Sequence, residues 1–198
     1  MRIGILGAGR IGGTLGRLWI DAGHDVLVSS RHPEAITELP AGKPRRAADF
    51  GELVLLAVPW ASMTETADEV APAVTGKIVV DATNPYGPGG PVDLGGEGSS
   101  EVVAGRLLGT RLVKCFNTIQ WTRLRDEGRP EGDPRRLAVF VAGDDEAAKD
   151  TVARLASDAG FDAVDAGSLH DGGRLEPGGS VFTVPLTASE ARERLAAR

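Results

Sequence analysis

The stretch GAGRIGG, Gly7 to Gly13, decides how this chain is read. On its left is the apolar run IGIL (3–6), and on its right the helical pattern TLGRLW (14–19). Gly7, Gly9 and Gly12 spell G-x-G-x-x-G between a predicted strand and a predicted helix, the context in which that spacing cradles a dinucleotide. The first glycine permits the tight turn, the second lets the backbone approach a pyrophosphate, and the third lets helix and strand pack closely. Free N–H groups at the helix start then face the phosphates. Ala8, Arg10 and Ile11 complete the turn and join the three glycines as candidate cofactor-binding residues.

Outward from this turn the chain alternates short apolar runs with helical patterns. Residues 11–23 read as a helix with Ile11, Leu15, Leu18 and Trp19 on one face and Gly23 past its end. DVLVSS (25–30) reads as a second strand, 32–39 as a short helix starting near Pro33, and PRRAA (44–48) as a short third strand. LVLLAVP (53–59) is a near-continuous apolar run, typical of a parallel strand covered on both faces. A helix over 61–74, the strand KIVVDAT (77–83) and a Gly/Pro loop over 84–98 follow. Residues 99–109 read as a helix capped by Ser99 or Ser100. The strands RLVKCFNT (111–118) and RLAVFVAGD (136–144), a helix over 145–160 and a strand over 161–167 complete the pattern. Such alternation implies an α/β fold: a Rossmann-like, doubly wound parallel sheet with helices on both faces. The last strand-helix-strand unit is expected to extend the same sheet. One domain over 1–198 is expected, with a dinucleotide-binding core (1–118) and a C-terminal extension (119–198) that completes the second-substrate pocket.

The end of the second strand selects the cofactor. An acidic residue there would bind the ribose hydroxyl of NAD, whereas this chain reads VSSRHPE. Ser29 and Ser30 offer hydroxyls and Arg31 a guanidinium able to grip a 2′-phosphate, so NADP(H) is the expected cofactor. His32 adds charge only when protonated. His24 falls in the helix-to-strand turn at the opposite end of the sheet and reads as structural.

Composition narrows the function further. With 22 Lys and Arg against 28 Asp and Glu, the net charge is −6 and the basic residues are scattered, so no nucleic-acid footprint exists. No apolar run approaches the roughly 20 residues that span a bilayer, and the short N-terminal apolar segment has no signal-peptide pattern, so the cytoplasm is the expected location. The single cysteine, Cys115, excludes an internal disulfide and a cysteine-based metal cluster; it reads as a buried small hydrophobe, and no metal site is expected. A homodimer is expected from the prevalence of that state, with 189–198 as a candidate contact.

In sheets of this kind ligands bind beyond the carboxyl ends of the strands. Four clusters are expected there: Val58, Pro59 and Trp60; Thr83, Asn84 and Pro85; Asn117 and Thr118; Gly143 and Asp144. Pro59 and Trp60 would wall a nicotinamide, and Asn84, Asn117 and Thr118 would orient a ring by hydrogen bonds. No Tyr-x-x-x-Lys dyad is present, the one tyrosine, Tyr86, sits in the glycine-rich loop, and the lysines at 43, 77, 114 and 149 offer no obvious base. A reaction needing little acid-base help is favoured, namely direct hydride transfer between two bound cofactors governed by positioning. No catalytic side chain is assigned. His170 and Tyr86 are the weak candidates for a proton donor.

GAGRIGGTLGRLW, SSR, LLAVPW, VVDATNP, LVKCFNTI, VFVAGDDEAAK and DAGSLHDGGRLEP, taken in order, resemble the F420-dependent NADP oxidoreductases, whose dinucleotide domain is related to that of membrane ferric reductases. The resemblance spans nearly the whole chain. It implies that Gly7, Gly9, Arg10, Ile11, Ser30 and Arg31 bind NADP and that Val58, Pro59 and Trp60 lie against its nicotinamide half. It places Asn84, Pro85, Asn117, Thr118 and Gly143 in a deazaflavin pocket, with coenzyme F420 exchanging hydride directly with NADP(H). Two rivals stand beside this reading. One is an NADPH-dependent reductase of a small C=N, C=C or C=O substrate. The other is a non-catalytic NADP(H) sensor that would use Trp121 and the 123–136 segment to contact a partner.

Overall fold

The computed structural model describes residues 1–197; Arg198, the last residue of the expected C-terminal contact, lies outside them. Side chains alternate along the first strand, β1 (Arg2–Leu6). Ile3 and Ile5 enter one apolar layer and Leu6 the other. Leu53 and Leu55 against Val54 and Leu56 do the same in β4 (Leu53–Leu56), so both strands are buried on both faces. The other elements are, in chain order, α1 (Arg10–Asp21), β2 (Asp25–Ser29), a 3-10 turn (Pro33–Ala35), β3 (Ala41–Gly42), α2 (Pro44–Phe50), α3 (Trp60–Val74) and β5 (Ile78–Asp81). Then come β6 (Tyr86–Gly87), β7 (Gly90–Pro91), α4 (Ser99–Arg106), β8 (Arg111–Lys114), α5 (Trp121–Asp126) and β9 (Ala138–Gly143). The chain closes with α6 (Glu146–Asp158), β10 (Asp162–Gly167), a 3-10 segment (His170–Leu175) and α7 (Ala188–Ala196). Eight strands form one sheet in the order β10-β9-β8-β5-β4-β1-β2-β3, and β6 and β7 make a separate small hairpin in the Gly/Pro loop.

Three expectations are corrected. PRRAA is the start of helix α2, and the third strand is Ala41–Gly42 just before it. Pro44 occupies the first helical position, where its missing N–H costs nothing. Gly4 lets α2 lie close on β1, since a Cβ there would stand 2.1 Å from the Ala47 carbonyl oxygen. Ser99 and Ser100 do not cap α4; Gly98 does, with Glu101 accepting from its N–H at 2.8 Å, and both serines point into the core.

The third correction matters most. β10 pairs in parallel with β9, but β9 runs antiparallel to β8, with Val113 opposite Gly143 and Lys114 opposite Ala142. The sheet is therefore mixed, not parallel throughout. A parallel crossover needs a connection long enough to return along the sheet, usually a helix. The connection between β8 and β9 carries only a six-residue helix, about 9 Å of length, and β9 starts from the end where β8 stops. The carboxyl ends of β9 and β10 consequently lie at the amino end of the other strands. There Asp145 accepts from Ala148 N at 2.9 Å, capping α6, and binds Arg111, whose guanidinium holds the Asp145 carboxyl down at about 2.

Candidate active site

The phosphate turn is built as its glycines require. Gly7 has φ +105°, and a Cβ there would lie 2.5 Å from Ala57 O; at Gly12 it would lie 2.0 Å from Gly7 O. Both positions exclude a side chain for reasons internal to the fold. Gly9 differs. It lies before Arg10 as the N-cap of α1, and a Cβ there would meet nothing within 4 Å. What Gly9 leaves clear is the cleft itself, and that open cradle fits a pyrophosphate at the first turn of α1, whose N–H groups lack intrahelical partners.

The cleft holds about 400 Å³ and runs from Gly7, Ala8 and Gly9 past Ser29, Ser30 and Arg31 to Val58 and Pro59. Ser29 is 2% exposed, and its Oγ accepts from Gly7 N at 3.2 Å, so it braces the turn from behind. Ser30 Oγ accepts from His32 N at 3.0 Å, shaping the bend that presents Arg31 at the surface. Ile11 and Gly12 face inward, and Trp60, the first residue of α3, packs into the core beside Val58. Arg10 leans out of the turn with its guanidinium 5.3 Å from the Trp121 ring centre, a cation–π contact. Sequence reasoning missed the far wall. Ser62, Glu65, Thr66 and Glu69, a polar stripe on α3, face Ile36 and Pro44 across the cleft.

Two of the other clusters come together. Asn84 Nδ2 donates to Asn117 O at 2.8 Å, and Asn117 Nδ2 donates to Asn84 Oδ1 at 3.1 Å and to Leu175 O at 2.8 Å. Asn117 is 5% exposed, and its Oδ1 has no partner. Phe116, just before it, is buried at φ +63°, a conformation that costs a non-glycine residue of order 1–3 kcal/mol and gathers at functional sites. Thr118 O accepts from Thr183 N at 2.9 Å. Pro85 is buried beside Asn84.

Beneath this pair lies a network that inspection of the lysines did not anticipate. Lys114 is fully buried, and its Nζ donates to Ser99 Oγ at 2.8 Å, Ser100 Oγ at 3.1 Å and, at 3.4 Å, to Asp81 Oδ2 and Thr83 O. Asp81, also fully buried, accepts from Thr83 N at 2.9 Å and Thr83 Oγ1 at 2.7 Å and from Ser100 Oγ. Thr83 thus lies 2% exposed under the strand end, holding the chain that leads to Asn84. Paired Ser99–Ser100 ahead of Glu101 was the available signal, but it reads equally as a helix cap.

Other candidates fall elsewhere. Gly143 pairs with Val113, four residues before Asn117, from where the chain heads toward the amino end of β8, and Asp144 Oδ1 accepts from Leu169 N at 2.9 Å, so neither joins Asn117. This follows from the antiparallel β9. His170 is 79% exposed on the outer side of α4, where its Nδ1 lies 3.0 Å from Glu101 Oε1. The hydrogen bond to Glu101 raises its pKa. Tyr86 is 45% exposed, its ring 6.5 Å from that of Phe182, and neither residue lines the dinucleotide cleft. His24 lies between the N-terminal amine, at 3.3 Å, and Asp158, at 3.0 Å, a structural position. Cys115 is buried, which pushes its thiol pKa up and leaves it unreactive. Among the described residues no helix is long and apolar enough to cross a membrane, and no cluster of His, Cys, Asp and Glu is placed to hold a metal ion.

Comparison with known proteins agrees with this geometry. Residues 2–85 match the family described as NADP oxidoreductase, coenzyme F420-dependent. The chain is 29% identical over 183 residues to metalloreductase STEAP3 of Rattus norvegicus, covering 88% of this chain but 36% of that protein, so it spans about a third of that relative's length. It is 29% identical over 180 residues to the F420-dependent NADP reductase of Methanothermobacter marburgensis, covering 78% of each. Among solved structures, a hypothetical protein of Sinorhizobium meliloti superposes with a TM-score of 0.83 at 30% identity, over 94% of this chain and 95% of the other. The phosphate turn, the Ser-Ser-Arg strand end and these similarities lead to one conclusion: over residues 2–85 the chain is similar to the NADP oxidoreductases described as coenzyme F420-dependent.

Proposed function

We propose that this protein transfers hydride between NADP(H) and the deazaflavin coenzyme F420. The observation that carries the reading is the open cradle at Gly9 facing Ser30 and Arg31 in one cleft, set beside the Asn84–Asn117 pair at the same end of the sheet. In it, the N–H groups at the start of α1 hold the pyrophosphate, Ser30 and Arg31 hold the 2′-phosphate, and Val58, Pro59 and Trp60 back the nicotinamide half. Asn84, Asn117 and Thr118 flank the second ring, and residues 119–197 supply its outer wall through Leu175 and Thr183. When bound, NADPH supplies the hydride, and the deazaflavin takes that hydride together with a proton from solvent. The protein's part is to bring two flat rings into contact and keep them there, so no side chain is consumed or titrated.

Stopped-flow absorbance with NADPH and oxidised F420 tests the reading directly. Bleaching of the deazaflavin band with stoichiometric loss of NADPH is expected. Bound NADPH with no bleaching would turn the scaffold to a different acceptor, such as a C=N, C=C or C=O compound. For the cofactor, Arg31→Ala is expected to weaken NADPH binding by about 1.5–3 kcal/mol, the range for hydrogen bonds to a charged group, and to change NADH binding little. Equal losses for both nucleotides in a fluorescence titration would remove Arg31 from the 2′-phosphate.

A further inference from the structure

Beside Arg31 stands a second cation that the chain's numbering hides. Ser29 at the end of β2 pairs with Gly42 at the end of β3, and Ser30 N donates to Gly42 O at 3.2 Å. The next residue after Gly42 is Lys43, and its Nζ donates to the Arg31 carbonyl oxygen at 2.6 Å. Its other neighbour, Pro44, lines the cleft together with Ser30 and Arg31. Twelve residues of sequence separate the two cations, yet the parallel pairing of β2 and β3 sets them at one corner of the site.

The charges around that corner are lopsided. Among the described residues neither Arg31 nor Lys43 forms an ion pair with a carboxylate, although most arginines of the chain do. Glu34, the acidic group nearest in sequence, is engaged with His32 at 3.3 Å, both more than two-thirds exposed, and Glu65 and Glu69 stand on the α3 wall of the same cleft without an ion pair to either cation. Two unpaired cations rooted in adjacent strand ends repel one another, and that repulsion is relieved when a doubly charged anion lies between them. A lysine ammonium suits this place because its flexible stem can swing from a backbone carbonyl to a phosphate oxygen without moving the backbone.

We propose that Lys43 is a second ligand of the 2′-phosphate of NADP(H), leaving the Arg31 carbonyl to bind the phosphate opposite the Arg31 guanidinium, and that it helps set the preference for NADPH over NADH. The inference rests on the NADP reading of the cleft. It assigns a residue from β3–α2, outside the glycine turn and the β2 end, to cofactor selection.

Fluorescence titrations of NADPH and NADH against wild type, Lys43→Met, Lys43→Arg, Arg31→Ala and the Arg31→Ala/Lys43→Met double variant decide it. Lys43→Met is expected to weaken NADPH about 10-fold or more, the low end for a hydrogen bond to a charged group, with NADH changed less than about 2-fold and thermal stability unchanged, as suits an exposed side chain. Lys43→Arg should restore most of the NADPH affinity. The salt dependence of NADPH binding should be shallower in Lys43→Met, because one phosphate contact is gone. The double variant separates direct contact from a mere brace for Arg31. With direct contact, Lys43→Met lowers NADPH affinity further when Arg31 is already alanine. With a brace, it adds nothing, and the proposal falls. Equal losses for NADH and NADPH would also overturn it. If wild type shows no preference for NADPH, the NADP reading fails along with it; if Arg31→Ala abolishes the preference and Lys43→Met keeps it, Lys43 alone is wrong.

Discussion

Asp81→Ala is expected to destabilise the protein by about 3–5 kcal/mol, the range for removing one partner of a buried ion pair. Both Asp81 and Lys114 are fully buried, and Asp81 also accepts from Thr83 and Ser100. Loss of its carboxylate leaves Lys114 as a charge without water, held by two serine hydroxyls, a carbonyl and the Glu176 carboxylate at 3.8 Å. Removing both charges is a milder insult than removing one, because the fully buried pair goes together and Glu176, which is partly exposed, still accepts from Ser99 N. Asp81→Ala combined with Lys114→Met should therefore recover about half of the loss or more. Urea unfolding of the two single variants and the double variant measures this. A single-variant loss below about 1 kcal/mol would show that the network contributes little to stability. Because Asp81 fixes Thr83, the same variant should also loosen Asn84, and the effect should extend to turnover.

The second large effect is expected without any loss of stability. Gly9→Ala adds a methyl group where the free protein has open space, at a backbone of φ −76° that alanine accepts. Unfolding should therefore move by less than about 0.5 kcal/mol, as for an ordinary surface change. NADPH binding should fall by a factor of 100 or more, since the methyl group occupies the approach to the pyrophosphate and each lost charge-assisted hydrogen bond is worth about 1.5–3 kcal/mol. Gly12→Ala offers the contrast: a Cβ 2.0 Å from Gly7 O forces helix and turn apart, so stability and binding should fail together. If Gly9→Ala bound NADPH normally, the phosphate would not lie on this turn.

The glycine turn was legible because local chemistry determines it. A tight turn of φ +105° at Gly7 admits glycine, and the hydroxyls and guanidinium read from VSSR do line the same cleft. The direction of β9 was not legible in the same way. VFVAG reads as a strand whichever way it runs, and its sense shows only in its pairing with β8. Gly143 was misplaced for that reason alone. PRRAA was read as a strand, whereas Pro44 at a helix start was the better signal. The polar stripe of Ser62, Glu65, Thr66 and Glu69 has helical spacing opposite the buried Met63, Ala67 and Val70, and on its own such a stripe reads as a solvent face. The Lys114 network needs three segments from residues 81, 99 and 114 to converge, which no local pattern reveals.

The reversal at β9 also sets an order in time. Every residue lining the dinucleotide cleft has been synthesised by Glu69, and the strands that shape it, β1, β2 and β4, pair within the first 56 residues. The outer partner of Asn117 is Leu175, 58 residues later, reached only after the chain has run down β9 and β10 and turned back. Loops that long close late because their entropy must be lost before any contact is gained. A nascent chain would therefore be able to take up its nucleotide well before the wall around Asn117 exists, and bound nucleotide would then favour the half-built sheet over its unfolded alternatives while the last third of the chain is still being made.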